Sequence, residues 1–417
     1  MYFKKLIKLI VPLSLITLFG LISSVWATSP VSDNESDVKS VKGKLMSRWF
    51  INKNDNSGKA FCEHHLMIAV EGGGTNTRIR ITTPNPVDQS KPYEQVLKQG
   101  SNIYRTAEQA IDVTRLLIQE GVEAVASKNH WNSQNTCYEL ALGMAGTEGN
   151  NNDTFLKALQ KDPRMQKAVL GSDAETAWLS VFDREGLIVI SGTGGITLGR
   201  NHKGQVYRKG GFSVPMSDTP SAAAHALHYG NCIHDIVSFE NENVFIPAGV
   251  HLGFFQKLLS RKQGSGNDVF MYLHGLVTRD LSQFAALAKD IQQYFDGSLM
   301  SEALRISPSC EGYKNAGIGS NQGKPDAGST SMDWSNKDDC ANTAMEKSIQ
   351  DLTKAVSITN PAFQNLPFAI HGTFGKVVWD SAVQYASIHE HIRKRKVEQP
   401  IDPLAGALKM LKDIPVQ

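Results

Sequence analysis

The chain is 417 residues long, carries 43 Lys and Arg against 41 Asp and Glu for a formal charge of +2, and is 41% hydrophobic. Near-neutral, interspersed charge gives no electrostatic case for nucleic-acid binding, and the length points to two lobes, on the usual scale of about 100–200 residues per domain. None of the five cysteines (Cys62, Cys137, Cys232, Cys310, Cys340) forms a C-x-x-C pair, which argues against a zinc or dithiol redox motif.

Residues 1–27 read as a signal peptide. Lys4, Lys5 and Lys8 make a basic start, Leu9 to Ile22 is apolar apart from Ser14, Thr17 and Gly20, and Val25-Trp26-Ala27 offers small residues at the positions a signal peptidase reads. The alternative is an uncleaved anchor, but a spanning helix needs about 20 apolar residues. Cleavage would remove three lysines and no acids, bringing the charge from +2 to −1. The expected product is an exported chain, periplasmic or secreted, with no stable membrane association. Residues 28–62 read as a flexible leader, polar but for Leu45 to Ile51.

Leu66-Met67-Ile68-Ala69-Val70 is an apolar strand that runs through Glu71 into Gly72-Gly73-Gly74-Thr75-Asn76 and returns as Thr77-Arg78-Ile79-Arg80. Glycines bring backbone N–H groups close to an anion, and threonines add donors; a Gly-rich hairpin that binds nothing is the other reading. Gly100-Ser101-Asn102 is a loop. The helix after it is expected to be capped by Thr106 and Gln109, with Ala110, Val113 and Leu117 on its apolar face. Tyr138 to Met144 is a strand ending at Ala145-Gly146. Ala168-Val169-Leu170 leads into Gly171-Ser172-Asp173, where Asp173 is either a base on a strand-end turn or the N-cap of the next helix.

Gly186 to Ile190, Ser191-Gly192-Thr193-Gly194-Gly195 and Ile196-Thr197-Leu198 repeat the opening hairpin about 120 residues later, as two related lobes facing a cleft would. A mainly helical region follows from Ser221 through Phe254-Phe255 and Leu281 to Phe295. Ser307 to Asn342 reads as a surface insertion, with Cys310 and Cys340 expected to pair across it. Asp296, Asp338 and Asp339 read as solvated loop charges. Met345 to Ile358 is helical; Pro367 to Ile370 is a strand leading to His371-Gly372-Thr373-Phe374-Gly375-Lys376; Asp402-Pro403 to Leu411 is a closing helix. His371 reads as a structural loop residue, and His64-His65 lacks the spaced partners of a metal site. Two Gly/Thr loops, a strand-end carboxylate and a third Gly loop fit a nucleotide-dependent phosphoryl transferase, which positions reactants and neutralises phosphate charge.

Val70-Glu71-Gly72-Gly73-Gly74-Thr75, Gly100-Ser101-Asn102, Ser172-Asp173-Ala174, Ser191-Gly192-Thr193-Gly194, Gly210-Gly211-Phe212 and Gly372-Thr373-Phe374-Gly375-Lys376 stand in the order found in N-acetylglucosamine kinases. The chain thus resembles that branch of the BadF/BadG/BcrA/BcrD ATPase group of the sugar kinase, Hsp70 and actin superfamily, over Leu66 to Leu411. The resemblance implies an α/β, two-lobed actin-like ATPase (ribonuclease H-like) fold, with duplicated mixed β-sheet domains flanked by helices and a cleft between them. The implied lobes are residues 63–182 and 183–400, the latter holding the insertion at 307–342; residues 401–417 would pack back on the first lobe.

The implied activity is ATP-dependent phosphorylation of an amino sugar, most simply N-acetylglucosamine at O6. Gly73, Gly74, Thr75, Asn76, Gly192, Thr193, Gly194, Gly372 and Lys376 match nucleotide-binding positions. Mg²⁺ is expected on the phosphates, with Glu71 as the candidate to hold it. Asn102, Asp173, Gly211, Phe212, Ser213 and Asp218 match sugar-binding positions, and Asp173 also matches the base. The implied partner is a small sugar, with homodimerisation left open. Departures fall in the acceptor loop: Phe212 replaces Trp, Ser213 replaces Gly, Thr219 replaces an acid and Pro220 replaces a glycine, and Pro220 removes a backbone donor. The alternatives are an exported BadF-type ATPase, whose relatives ligate an iron–sulfur cluster with cysteines, and a non-catalytic nucleotide or sugar binder.

Overall fold

The computed structural model describes residues 39–42, 47–52, 62–84, 91–104, 107–212, 218–240, 243–246, 251–262, 276, 281–295, 338–385 and 388–413. The signal segment, Thr106, Ser213, Asp296 and Cys310 lie outside the described residues. All that is described belongs to the compact unit 38–417.

The first sheet contains β1 (Lys39–Lys42), β2 (Ser47–Asn52), β3 (His64–Gly72), β4 (Thr77–Thr82), β5 (Tyr93–Leu97), β6 (Thr136–Met144) and β7 (Met165–Ser172), in the order β1-β2-β7-β6-β3-β4-β5. Its helices are α1 (Ala107–Lys128), α2 (Asn152–Gln160) and α3 (Asp173–Val181). β3, β6 and β7 run parallel, and β4 and β5 fold back antiparallel. Leu66, Ile68 and Val70 from β3, Leu140 and Leu142 from β6, and Val113 and Leu117 from α1 build one core. β3 and β6 are buried on both faces, as their near-continuous apolar runs require.

The second sheet is β10-β9-β8-β13, made of β8 (Gly186–Ser191), β9 (Gly195–Arg200), β10 (Val206–Gly210) and β13 (Phe368–His371). β9 and β10 are antiparallel to their neighbours and β13 is parallel to β8, so β8, β9, β10 and β13 repeat β3, β4, β5 and β6 in order and direction. A small hairpin, β11 (Ser238–Glu240) and β12 (Asn243–Phe245), stands apart. The helices here are α4 (Ala222–Ile236), α5 (Gly253–Lys262), α6 (Leu281–Gln292), α7 (Asp339–Val356), α8 (Thr373–Tyr385), α9 (Glu390–Arg393) and α10 (Pro403–Lys412). Two mixed sheets of one repeated topology, flanked by helices, match the related lobes expected from the duplicated hairpin and the two-lobed α/β fold that the resemblance implies.

The two sheets share a core. Trp178 and Leu179 of α3, Ile188 and Leu198 of the second sheet, and Leu404, Ala407 and Met410 of α10 pack together. The Trp178 indole N–H donates to Gly186 O at 2.9 Å, tying α3 to the start of β8.

Three expectations are corrected. The leader is not flexible throughout: β2 pairs antiparallel with β7, placing Phe50 opposite Val169. Phe50 and Ile51 are buried, and fully burying such a side chain is worth about 1.5–3 kcal/mol, so a short apolar interruption suffices to add a six-residue strand. The end of the predicted insertion is structured as well. Asp338 caps α7, accepting from Ala341 N at 3.0 Å, Phe254 N at 2.9 Å and the Tyr229 hydroxyl at 2.9 Å; Asp338 is buried, not a solvated loop charge, and Asp339 is the first residue of α7. Burial pushes the Asp338 carboxyl up to about 6 against these donors. Finally, Cys340 pairs with Cys232 and Cys62 with Cys137. The helices α4 and α7 pack face to face and bring Cys232 to Cys340 with Cα atoms 5.5 Å apart, so Cys340 is not available to Cys310.

Candidate active site

The parallel register sets the floor of the site. Gly72 lies opposite Met144, and Met144 opposite Ser172, so the first glycine turn and the start of α3 emerge from one edge of the sheet. At about 4.8 Å per strand, Gly72 and Ser172 stand roughly 10 Å apart across β6.

The β3–β4 turn is supported from below. Gly73 N donates to Asn76 O at 3.0 Å, Ala145 N to Gly72 O at 2.7 Å and Ser101 N to Gly73 O at 3.1 Å. The Thr77 hydroxyl lies 2.7 Å from Gln99 O and 2.8 Å from Ser101 Oγ, which locks the 100–102 loop against the turn. Gly74, Thr75 and Asn76 are exposed, and no atom lies within 4 Å of where a Cβ on Gly74 would stand, leaving an open cradle at the apex. Glu71 at the end of β3 is ion-paired with Arg78; burial raises its carboxyl more than Arg78 lowers it.

The second turn mirrors the first. Gly192 N donates to Gly194 O at 3.0 Å. Ala222 N and Ala223 N, at the start of α4, donate to Gly192 O (2.9 Å) and Thr193 O (3.2 Å), so the loop's carbonyls are consumed by the helix. Gly192, like Gly74, faces open space. Gly372 has φ +100°, and a side chain there would run into the Ser191 carbonyl; the third glycine loop thus packs directly on the second. Lys376 is exposed in the first turn of α8. The half-buried His371 stays neutral, its pKa lowered to about 4 by desolvation with a smaller contribution from Arg78.

Asp173 is not the helix cap. Ser172 takes that place, its Oγ accepting from Glu175 N at 3.0 Å, while the Asp173 carboxylate accepts from the backbone N–H of its neighbour Ala174 at 2.8 Å and from its own. The carboxyl is half-buried. Burial pushes it up to about 7, with Glu148 and Glu71 adding like charge and the Ala174 N–H opposing. A carboxyl titrating near neutrality is suited to accept a proton.

On the acceptor side, Asn102 places its carboxamide against Gly146, whose φ of +83° and lack of Cβ admit the approach. Gly211 N donates to Gly195 O at 2.9 Å. Asp218 is buried between the two loops: Oδ1 accepts from Phe212 N at 2.9 Å, and Oδ2 lies against Gly194. Phe212, expected on the acceptor side, is 64% exposed there. Sequence reading missed three residues, Tyr104, Arg208 and Glu148: Tyr104 is 69% exposed on the opposite lobe, and Arg208 Nη2 reaches Glu148 Oε1 at 3.2 Å between the lobes. Only the proximity of Arg208 to Gly210-Gly211 hinted at this; Glu148 carried no local signal.

Among the described residues no group of three or more His, Cys, Asp or Glu side chains is arranged to hold a metal. Cys137 and Cys232 are both in disulfides, which removes them as cluster ligands for the BadF-type ATPase alternative.

No family model matches the chain. Over 158 residues it is 32% identical to an N-acetylmuramic acid/N-acetylglucosamine kinase of Clostridium acetobutylicum, covering 37% of this chain and 49% of the relative; the match spans about half that relative's length. Among solved structures, a provisionally assigned N-acetylglucosamine kinase of Chromobacterium violaceum superposes with TM-score 0.53 at 19% identity, covering 84% of this chain and 99% of that one. A provisionally assigned N-acetylglucosamine kinase of Porphyromonas gingivalis gives TM-score 0.50 at 14% identity, with coverage of 84% and 99%. At these identities the structures establish the shared fold, and the resemblance drawn from the motifs has a named counterpart in sequence.

Proposed function

We propose that this chain is an ATP-dependent sugar kinase transferring the γ-phosphoryl group to the 6-hydroxyl of an N-acetylated amino sugar, N-acetylglucosamine or N-acetylmuramic acid. The observation that carries this is the register Gly72–Met144–Ser172. It sets Asp173, left free of the capping role by Ser172, roughly 10 Å across the sheet from a glycine turn with an open apex, a span that fits a terminal phosphoryl group and a hexose hydroxyl in line.

In this reading the 73–76 and 192–194 turns cradle the phosphates, with Thr75 and Thr193 donating, and Gly372 and Lys376 close the nucleotide end. Asn102 and the 211–218 loop bind the sugar, and Asp173 takes the hydroxyl proton. Glu71 is the carboxylate beside the phosphate turn; Mg²⁺ would be held chiefly by the phosphates and water, as is usual for this ion, with Glu71 reaching it directly or through water. When bound it neutralises phosphate charge. Both open glycine apices suit ATP phosphates.

We also propose that the chain is exported by its first 27 residues. Two disulfides, Cys62–Cys137 and Cys232–Cys340, suit an oxidising compartment.

A coupled ATP-consumption assay across hexoses and N-acetylhexosamines tests the activity, with Asp173→Asn as control. Turnover with an N-acetylhexosamine that vanishes in this variant is expected. Wild-type rates in the variant overturn the role of Asp173. Calorimetric sugar binding without any turnover favours the non-catalytic binder.

A further inference from the structure

The acceptor half of the cleft holds a cation that the proposed phosphoryl transfer does not use. Arg208 lies at the middle of β10, with its guanidinium carbon 4.7 Å from the centroid of the Phe212 ring. Nη2 is 3.2 Å from Glu148 Oε1 across the cleft. Its contacts to its own loop are long: 3.4 Å from Nε to Gly210 O and 3.5 Å from Nη2 to Gly211 O. The two charged side chains are 24% and 41% exposed, a setting in which ion pairs contribute little to stability. The pair is therefore a weak clamp for holding two lobes together. The Arg208 fork is nevertheless oriented, since stacking on an aromatic face fixes its plane and leaves edge donors that match a carboxylate. Glu148 shows that a carboxylate fits against that edge.

The charges around it decide what Arg208 is for. Glu71, Glu148, Asp173 and Asp218 belong to the same site, and Glu148 and Glu71 already raise the proton affinity of Asp173. A neutral hexosamine enters such a site without electrostatic cost, whereas a sugar acid would meet like charge unless a cation offset it. The exposed Phe212 ring supplies an apolar face to a pyranose in the same place. Resting on the kinase reading above, we propose that Arg208 is the specificity-determining residue for an acceptor sugar that carries a carboxylate, and that Glu148 is the internal carboxylate exchanged for it on binding.

N-acetylmuramic acid, which is N-acetylglucosamine with a lactyl ether at O3, is the probe, and N-acetylglucosamine is its neutral control. kcat/KM and calorimetric affinity are measured for both sugars with the wild type, Arg208→Gln, Arg208→Lys and Glu148→Gln. Arg208→Gln should lower kcat/KM and affinity for the acidic sugar by roughly 10- to 100-fold, the range for losing a hydrogen bond to a charged group, and change the neutral sugar by less than about threefold. Arg208→Lys should restore part of the loss, because the charge returns without the fork. Glu148→Gln should raise affinity for the acidic sugar alone, since a competitor is removed. An equal loss for both sugars, or no loss for the acidic one, overturns the proposal and leaves the kinase standing. Arg208-dependent binding of the acidic sugar with no turnover does the reverse, and binding of neither sugar removes both.

Discussion

Replacing Asp173 by Asn should make the protein more stable and inactive, with a pH dependence that identifies the cause. The carboxyl sits at about 7 in the folded chain against 3.8 in the unfolded one. A folded-state value above the unfolded one means that the folded chain holds the proton more tightly. Stability from this group is complete below about pH 4, declines as pH rises from 4 to 7, and is constant above. At about 1.4 kcal/mol per pH unit the three-unit shift corresponds to at most ~4 kcal/mol, and because the side chain keeps some contact with solvent, ~2–4 kcal/mol is the expected cost. Asn cannot ionise and can still accept from Ala174 N, so at pH 8 the variant should be more stable by that amount, and at pH 4 it should match the wild type within about 1 kcal/mol. With an unfolding entropy of about 2.1 cal/mol/K per residue, each kcal/mol moves the Tm of a chain this long by roughly 1–1.5 °C, a gain of about 2–6 °C at pH 8. Thermal melts of the nucleotide-free, Mg²⁺-free protein from pH 4 to 8.5 measure it. An unchanged or lower Tm at pH 8 would show that the carboxyl is not desolvated and would remove the physical basis for a base at this position. Stabilisation with loss of turnover is the expected trade at an active site.

Arg48→Met should cost about 3–5 kcal/mol in a denaturant melt, because Glu175 then keeps a buried charge without its guanidinium partner; Arg48→Met combined with Glu175→Gln should recover much of the loss. Asp338→Ala removes the acceptor shared by Ala341 N, Phe254 N and the Tyr229 hydroxyl, and a Tm loss equivalent to about 3 kcal/mol or more is expected from the buried donors left unmade. Gly372→Ala forces a side chain into a φ of +100° against the Ser191 carbonyl. ATP affinity measured by calorimetry should fall at least tenfold, with the far-UV spectrum unchanged; wild-type affinity would show that the third glycine loop does not support the second.

The repeated hairpin was legible because it is local: five apolar residues, a glycine turn and a return strand are contiguous in both copies, and the sheets follow from pairing them. Asp173 was legible as a candidate, but whether it caps the helix was not, since that depends on which side chain the helix N–H groups select, and Ser172 is better placed by one residue. β2 and the Asp338 cap were misread for one shared reason. Short apolar or acidic segments in polar surroundings look solvated until a distant partner appears, here β7 for Phe50 and Tyr229 with Phe254 for Asp338. Disulfide connectivity is likewise invisible in one dimension: Cys232 and Cys340 are separated by 108 residues and meet only because α4 packs on α7. Glu148 and Arg208 could not be paired from sequence at all, since each stands in its own lobe and neither has a periodic or motif context.

These same contacts divide the site into a fixed half and an adjustable half. The helix that begins with Asp173 is held on several sides. Arg48 of β2 bonds Glu175 at 2.9 Å and Asp413 at 3.1 Å, Lys409 of α10 reaches Leu179 O at 2.8 Å, and Gly406 lets α10 approach the Thr176 carbonyl closely. A proton acceptor must be held within a fraction of an ångström of its working position, and a helix packed between two sheets meets that demand. Among the described residues, the chain after β10 is held by the buried carboxylate of Asp218 and by Gly211 N on Gly195 O, and beside it stands the partly exposed Arg208–Glu148 pair. Weak, solvent-reached contacts of that kind can be exchanged for ligand contacts at little cost. On the proposed reading, proton transfer falls to an element with deep buried support, and the choice of sugar to a partly exposed ion pair beside the acceptor loop. The family departures at Phe212, Thr219 and Pro220 sit in this second half, where sequence can change without moving Asp173.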